Sequence, residues 1–368
     1  MATVSPYGIA SAGFFTTSPR LSPSAKGMLM NPLCRFATAA LVALLLTSLV
    51  LPNAHAVTIN WVTVGDPGNT ADTTTYGAVT DAFQIMKYEW TNSQYTDFLN
   101  AVDPSGTNPN SVYKAEMGSN ARGGISFTSG AASGSKYAVR TNMADKPVNY
   151  VSWFDAARVA NWLQNGQGSG STETGAYTLV GGQTSGTAPA VNSGASYFLP
   201  TEDQWYKAAY YKGGSTNAGY WDYATQSDAD PTAVTADGVG NGSAAGTGNF
   251  ANYNLAADWN SQDGNVTTVG TNGVASAYGA FDMSGNLYEW NDLTGAAGSS
   301  RGLRGSYWDD GALYLSSSVR DTYGPSNEND SFGFRLASPV AVPEPSTYLL
   351  LLLAGAGWLL WRRRKVGL

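Results

Sequence analysis

Cysteine and histidine are almost missing from this 368-residue chain. It has one of each, Cys34 and His55, and both precede residue 57. If that leading segment is removed, no thiol and no imidazole remain. The absence excludes disulfides, thiol nucleophiles, Ser-His-Asp triads, haem held by His, and zinc or copper sites built on Cys and His. Basic residues are also few. Of the 20 Lys and Arg, three (Arg20, Lys26, Arg35) precede residue 57 and four follow residue 345. That leaves 13 against all 27 acidic residues, a net charge of −14 over 57–345. Such a polyanion argues against nucleic-acid or anionic-membrane partners, which need clustered Lys and Arg. It suits cations that take oxygen ligands.

What is present begins with two sorting signatures. Phe36 to Leu51 is an apolar run of signal-peptide length, closed by Pro52-Asn53-Ala54-His55-Ala56, whose A-x-A pattern predicts cleavage after Ala56. Residues 1–56 are therefore read as a signal-peptide region, translated from Met1, Met28 or Met30; an uncleaved membrane anchor is the other reading. At the far end, Pro343-Glu344-Pro345 precedes an apolar helix over 348–361 and a basic end over 362–365. Fourteen residues are short for a permanent span and suit a transient anchor, with the basic side cytoplasmic and the domain outside. This tail, 339–368, resembles the PEP-CTERM sorting signal of Gram-negative bacteria. The resemblance implies an exosortase as partner, passage through the inner membrane, and a cell-surface or extracellular-matrix destination. A plain membrane anchor would still place the domain outside the cytoplasm.

Between the two ends the chain reads as one α+β domain with much irregular loop structure. Residues 57–79 are expected as an extension and 80–338 as the domain proper. Three helices are predicted: about Asn92 to Ala101, after the strand-like Phe83 to Tyr88; one after Ser152, with Asp155 as box partner and Gly166 as stop; and one after Thr201, with Gln204 completing a capping box and an end near Gly213. Gly166–Gly194 and Gly213–Gly248 read as surface loops or short hairpins.

Six segments carry the family signal: Lys87 to Tyr95, Lys146 to Ala157, Leu199 to Trp205, Asp282 to Trp290 (DMSGNLYEW), Leu303 to Trp308 and Phe332 to Arg335. In this order and spacing they resemble the formylglycine-generating enzyme, or sulfatase-modifying factor, family. The resemblance implies a C-type-lectin-like fold. Read as residues alone, Trp153, Trp205, Trp290 and Trp308 are core anchors. Gly305 and Gly333 suit tight backbone positions, and Arg304 and Arg335 are forked donors to loop carbonyls or carboxylates.

The family's active members use two copper-binding cysteines just after the fifth segment. Here Asp310 and Leu315 stand in those places, so formylglycine formation is expected to be absent. The histidine-held iron of a second branch is expected to be absent too, and no copper, iron or zinc is expected. Calcium remains open, because its ligands are oxygens. The resemblance carries one site onto Asn252, Tyr253 (carbonyl), Asp263 and Asn265 (carbonyl). It carries a second onto Asp282, Gly285 (carbonyl), Leu287 (carbonyl) and Glu289, where the bland reading is hydrogen bonding to loop amides or Arg. Two functions follow as expectations. One is a non-catalytic exported binding or structural module for exopolysaccharide or a surface protein, using the Asp309–Tyr323 region. The other is an enzyme of altered, non-thiol chemistry, a carboxylate or calcium-assisted hydrolase, with Asp310, Tyr314, Arg320 and Asp321 in its pocket.

Overall fold

The structure, a computed structural model, describes residues 56–339. The signal-peptide region before Ala56 and the apolar helix and basic end of the tail lie outside the described residues. Among those described, no helix is long and apolar enough to cross a membrane.

The three expected helices form, and their starts are chemical. Thr91, Ser152 and Thr201 each accept a hydrogen bond from the backbone three residues on, while Gln94, Asp155 and Gln204 reach back to the cap. These reciprocal boxes satisfy amides that a helix start leaves without partners. They open α1 (Asn92–Val102), α3 (Trp153–Gln164) and α4 (Glu202–Tyr210). A one-turn helix α2 (Glu116–Ser119) lies between the first two. Helix α3 is buried along eleven of its twelve residues, Trp153 to Leu163, so it runs through the core rather than across its surface.

Two sheets pack with these helices. The first joins β1 (Trp61–Val64), β2 (Phe83–Met86) and β13 (Ala337–Ser338), antiparallel throughout. The segment 57–79, expected as an extension, thus supplies a strand of the domain, and Val57 and Ile59 are buried in its core. The second sheet has the order β11-β10-β9-β12, from Asp321–Tyr323, Arg301–Arg304, Tyr288–Asn291 and Phe332–Gly333. Its last pair is parallel. Shorter ribbons pair β3 (Ile125–Phe127) with β4 (Tyr137–Val139), β5 (Thr232–Ala233) with β7 (Phe250–Ala251), and β6 (Ala244–Ala245) with β8 (Asn272–Gly273). The remainder is ordered loop, so the α+β class holds.

The Gly166–Gly194 stretch is not only surface. It carries Ala176, Tyr177, Leu179 and Ala188 inward, and the Tyr177 hydroxyl donates to Asp292 at 2.6 Å. Gly, Ser and Thr supply its bends, and one aromatic residue nails it to the core. Trp153, Trp205, Trp290 and Trp308 are all buried, as expected of anchors.

Asp155 gives the fold a pH signature. Burial, and then the nearby Glu328 carboxylate, push its carboxyl up to about 7 despite the hydrogen bonds from Ser152. The folded chain therefore holds a proton there that an unfolded aspartate releases near pH 4. Between about pH 4 and pH 7 the native state binds more protons than the unfolded one, so this group's contribution to stability falls as pH rises. Asp155→Asn is expected to flatten that slope, by up to about 1.4 kcal/mol per pH unit. Urea titrations from pH 4 to 8 measure it, and an unchanged slope would refute the assignment.

Candidate functional site

Strands β9 and β10 run antiparallel, and the chain leaves β10 through a forced turn. Gly305 has φ +95° and Ser306 φ +70°; a Cβ on Gly305 would press on the Trp205 ring at 3.3 Å. The turn carries Tyr307, Trp308, Asp309 and Asp310 back over the sheet. Trp308 is sealed beneath the Arg122 guanidinium, 3.9 Å from its ring centre. The Asp310 and Trp308 carbonyls accept from Asn254 and Leu255, which fixes the segment against the chain opposite.

Asp310 is half-buried, and its Oδ2 accepts from the Ser306 hydroxyl at 2.9 Å. The Tyr288 hydroxyl also bonds to it, and burial together with Asp309 and Asp321 raises its pKa. Around it the rings of Tyr288 and Tyr307 lie 5.6 Å apart, and Tyr323 meets Phe332 at 5.2 Å. Tyr323, on edge strand β11, is 42% exposed. The structure thus brings Asp310 and Asp321 to one face, with Asp309 and three tyrosines beside them. It does not bring Arg320. That guanidinium makes two hydrogen bonds to the buried Glu202, at 2.7 and 2.8 Å, in a cluster with Arg304. Tyr314 lies half-exposed on a 3-10 turn (Ala312–Leu315) whose anchor is the buried Leu315.

Sequence reasoning missed Tyr288, Ser306, Tyr307 and Phe332. The signal for the first was present, because Tyr288 lies two residues before the core anchor Trp290 on β9 and so shares its face, with the polar-tipped ring half-buried and the indole inside. Ser306 and Tyr307 reach the face only through the turn at Gly305, and Phe332 only through the parallel pairing of β12 with β9.

Residues 61–340 match the profile of the sulfatase-modifying factor enzyme 1-like domain, and residues 341–365 match the PEP-CTERM protein-sorting motif. The chain belongs to the sulfatase-modifying factor family. Its tail marks it for export and surface sorting through exosortase. Similar solved structures include CarF, at 21% identity and TM-score 0.47, over 77% of this chain and 99% of that one. Treponema denticola variable protein 1 follows at 18% identity and TM-score 0.42, over 78% and 98%. PvdO from Pseudomonas aeruginosa has 18% identity and TM-score 0.37, over 77% and 93%. No curated protein matches. Within the matched residues 61–340 the sequence contains neither cysteine nor histidine.

In this sulfatase-modifying factor domain the two sets of calcium-type oxygens differ in what already holds them. Asn252 is fully buried and its Nδ2 donates to the Asn265 carbonyl, Thr267 and Asn286. Its Oδ1 is a buried acceptor without a partner. The Tyr253 carbonyl accepts from Ala256, while Asp263 is exposed with its carbonyl bonded to Arg122. In the second set every carboxylate oxygen is engaged. Asp282 accepts from the Gly270 amide and the Asn272 side chain, and Glu289 accepts from Trp205 and doubly from Arg335. Gly285 and Leu287 lie between them on the same buried turn. Among the described residues no group of three or more His, Cys, Asp or Glu is arranged to hold a metal.

Cavities of about 560 and 390 Å³ open away from this face. One is beside Val79, Phe83 and Asp203, the other beside Tyr88, Asp145 and Thr268.

Proposed function

We propose that the domain is a non-catalytic binding module on a C-type-lectin-like scaffold, exported and then held by a transient membrane anchor until its tail is cut. Its ligand is a polysaccharide of the extracellular matrix, bound at the face formed by β11 and the turn after β10. The observation that carries this reading is the joint placement of exposed Tyr323 and half-buried Tyr288 and Tyr307 beside Asp309, Asp310 and Asp321, with Arg320 withdrawn to Glu202. Tyrosine rings offer flat apolar surface at low entropic cost, and carboxylates accept from sugar hydroxyls. With so much negative charge, neutral or cationic polymers are favoured over acidic ones. The absence of cysteine from residues 61–340 supports the same reading, since thiolate chemistry needs a thiol that this stretch does not supply.

Calcium is proposed at the first oxygen set, where the unpartnered Oδ1 of Asn252 would be a ligand together with Asp263 and the carbonyls of Tyr253 and Asn265; it would brace the chain opposite Asp310. The second set supports calcium less, because every carboxylate oxygen in it already accepts from a protein donor, whereas the Asn252 Oδ1 of the first has none.

A glycan array with calcium and with a chelator tests both points. Tyr323→Ala is expected to weaken binding about tenfold, or about 1.4 kcal/mol, without unfolding the protein, because the ring is exposed. Absence of any polysaccharide ligand, or full binding by the variant, would sink the proposal. The alternative is a carboxylate hydrolase centred on Asp310, favoured by that group's raised pKa beside the Tyr288 hydroxyl. It requires turnover of a glycan or ester that Asp310→Ala abolishes.

A further inference from the structure

We propose that Val57 is the amino terminus of the exported chain, and that Gln167 captures it once the chain is cut after Ala56. Two independent observations meet at this residue. The sequence places an A-x-A pattern, Ala54 and Ala56, immediately before it. Among the described residues the chain enters the core at the same point. Ala56 is exposed, whereas Val57 is 5% exposed and packed in the core that contains α3.

The main chain of Val57 is gripped on both sides by one side chain. Its N–H donates to Gln167 Oε1 at 2.7 Å, and its carbonyl accepts from Gln167 Nε2 at 3.1 Å. The next residues are stitched in turn. The Thr58 carbonyl accepts from Gln94 Nε2, and the Asn60 carbonyl from the Lys87 amide. A chain terminus is ordinarily loose unless tied down, and here the first residue after the expected cut is itself tied. Gln167 is itself fixed, with its backbone N–H donating to the Trp162 carbonyl just past the end of α3.

Cleavage changes what Gln167 holds. Water is added across the Ala56–Val57 peptide bond: the leader leaves with the Ala56 carboxylate, and the released Val57 amine takes up a proton to become an ammonium. That group keeps the Oε1 acceptor, and the hydrogen bond becomes charge-assisted, hence shorter and stronger. The order of events also follows. With the scissile nitrogen bonded to Gln167 and the Val57 side chain buried, a peptidase cannot lay the bond into its own site. Cutting precedes docking, and docking then withdraws the new terminus from further trimming.

The test uses the full chain in an exporting host. Amino-terminal sequencing of the secreted protein is expected to read Val-Thr-Ile-Asn. Gln167→Glu, which sets a carboxylate against the ammonium, is expected to raise the melting temperature of the processed chain by about 2–4 °C. The same substitution in a chain blocked from cleavage by Ala54→Asp and Ala56→Asp should give no gain. The gain should be full below about pH 8, the ordinary α-amino value, and fade as pH rises through the higher pKa that the carboxylate gives the docked ammonium. Gln167→Ala, expected to lower the melting temperature of the processed chain, gives the same answer if the glutamate variant folds poorly. Any other first residue overturns the start at Val57. An equal Gln167→Glu shift in cut and uncut chains, or no loss in Gln167→Ala, overturns the capture.

Discussion

Glu289→Ala is expected to lower the stability of the domain by about 3–5 kcal/mol, the range for stranding one partner of a buried ion pair. Glu289 and Arg335 are both fully buried, and the carboxylate takes two hydrogen bonds from the guanidinium and one from the Trp205 indole. Removing it leaves a positive charge and an indole N–H without their acceptor, far from water. One effect works the other way. Glu89 and Asp282 stand nearby, and Glu89's pKa is raised well above its ordinary value, by burial first and then by the carboxylates of Asp282 and Glu289. With Glu289 gone, Arg335 still feels both remaining acids, so the cost should fall near the low end of the range. Glu289→Gln keeps the volume and one acceptor for Trp205, and should cost less than alanine. Urea denaturation reads the loss, and repeating it with calcium and with a chelator separates two roles. A cost that is equal in both belongs to Arg335 and Trp205; a cost that disappears in chelator would assign Glu289 to a cation.

The parts of this architecture that were legible in the sequence are those whose physics is local. A capping box joins residues three apart, so Thr91-Gln94, Ser152-Asp155 and Thr201-Gln204 announce their helices wherever they occur. Large indoles spaced along a polar, glycine-rich chain announce a core, and Trp153, Trp205 and Trp290 lie in it. What stayed hidden depends on partners far apart in the chain. Arg320 looked like a neighbour of Asp321 in a pocket, yet its side chain is taken by Glu202, 118 residues away. Tyr177 sat in a segment whose composition says loop, and only Asp292, 115 residues on, explains why it is inside. The ligand face was half legible. Asp310 and Asp321 were named from their place in the chain, but the tyrosines around them come together through sheet register and the Gly305 turn, which no spacing rule reveals.

Asp292 shows the energetic weight of such a long-range partner. It is 2% exposed and accepts from the Trp153 indole and the Tyr177 hydroxyl, each at 2.6 Å. Its third partner is Arg301, an ion pair at 3.2 Å rather than a well-aligned hydrogen bond. Through these contacts one carboxylate joins the start of α3, the Gly-rich segment and strand β10. Asp292→Ala is therefore expected to cost about 3–5 kcal/mol, with Trp153 and Tyr177 left as buried donors whose unpaired groups add to the loss. Tyr177 cannot readily turn elsewhere, because its oxygen already accepts from the Leu199 amide. Arg301 keeps carbonyl partners at Ala188 and Pro189, so its stranded charge, not its geometry, should dominate. The double variant Asp292→Ala/Arg301→Met isolates that term. If the charge is the main cost, the double variant unfolds at higher urea than Asp292→Ala alone. If it does not, the loss lies with Trp153 and Tyr177, and the carboxylate acts chiefly as their acceptor.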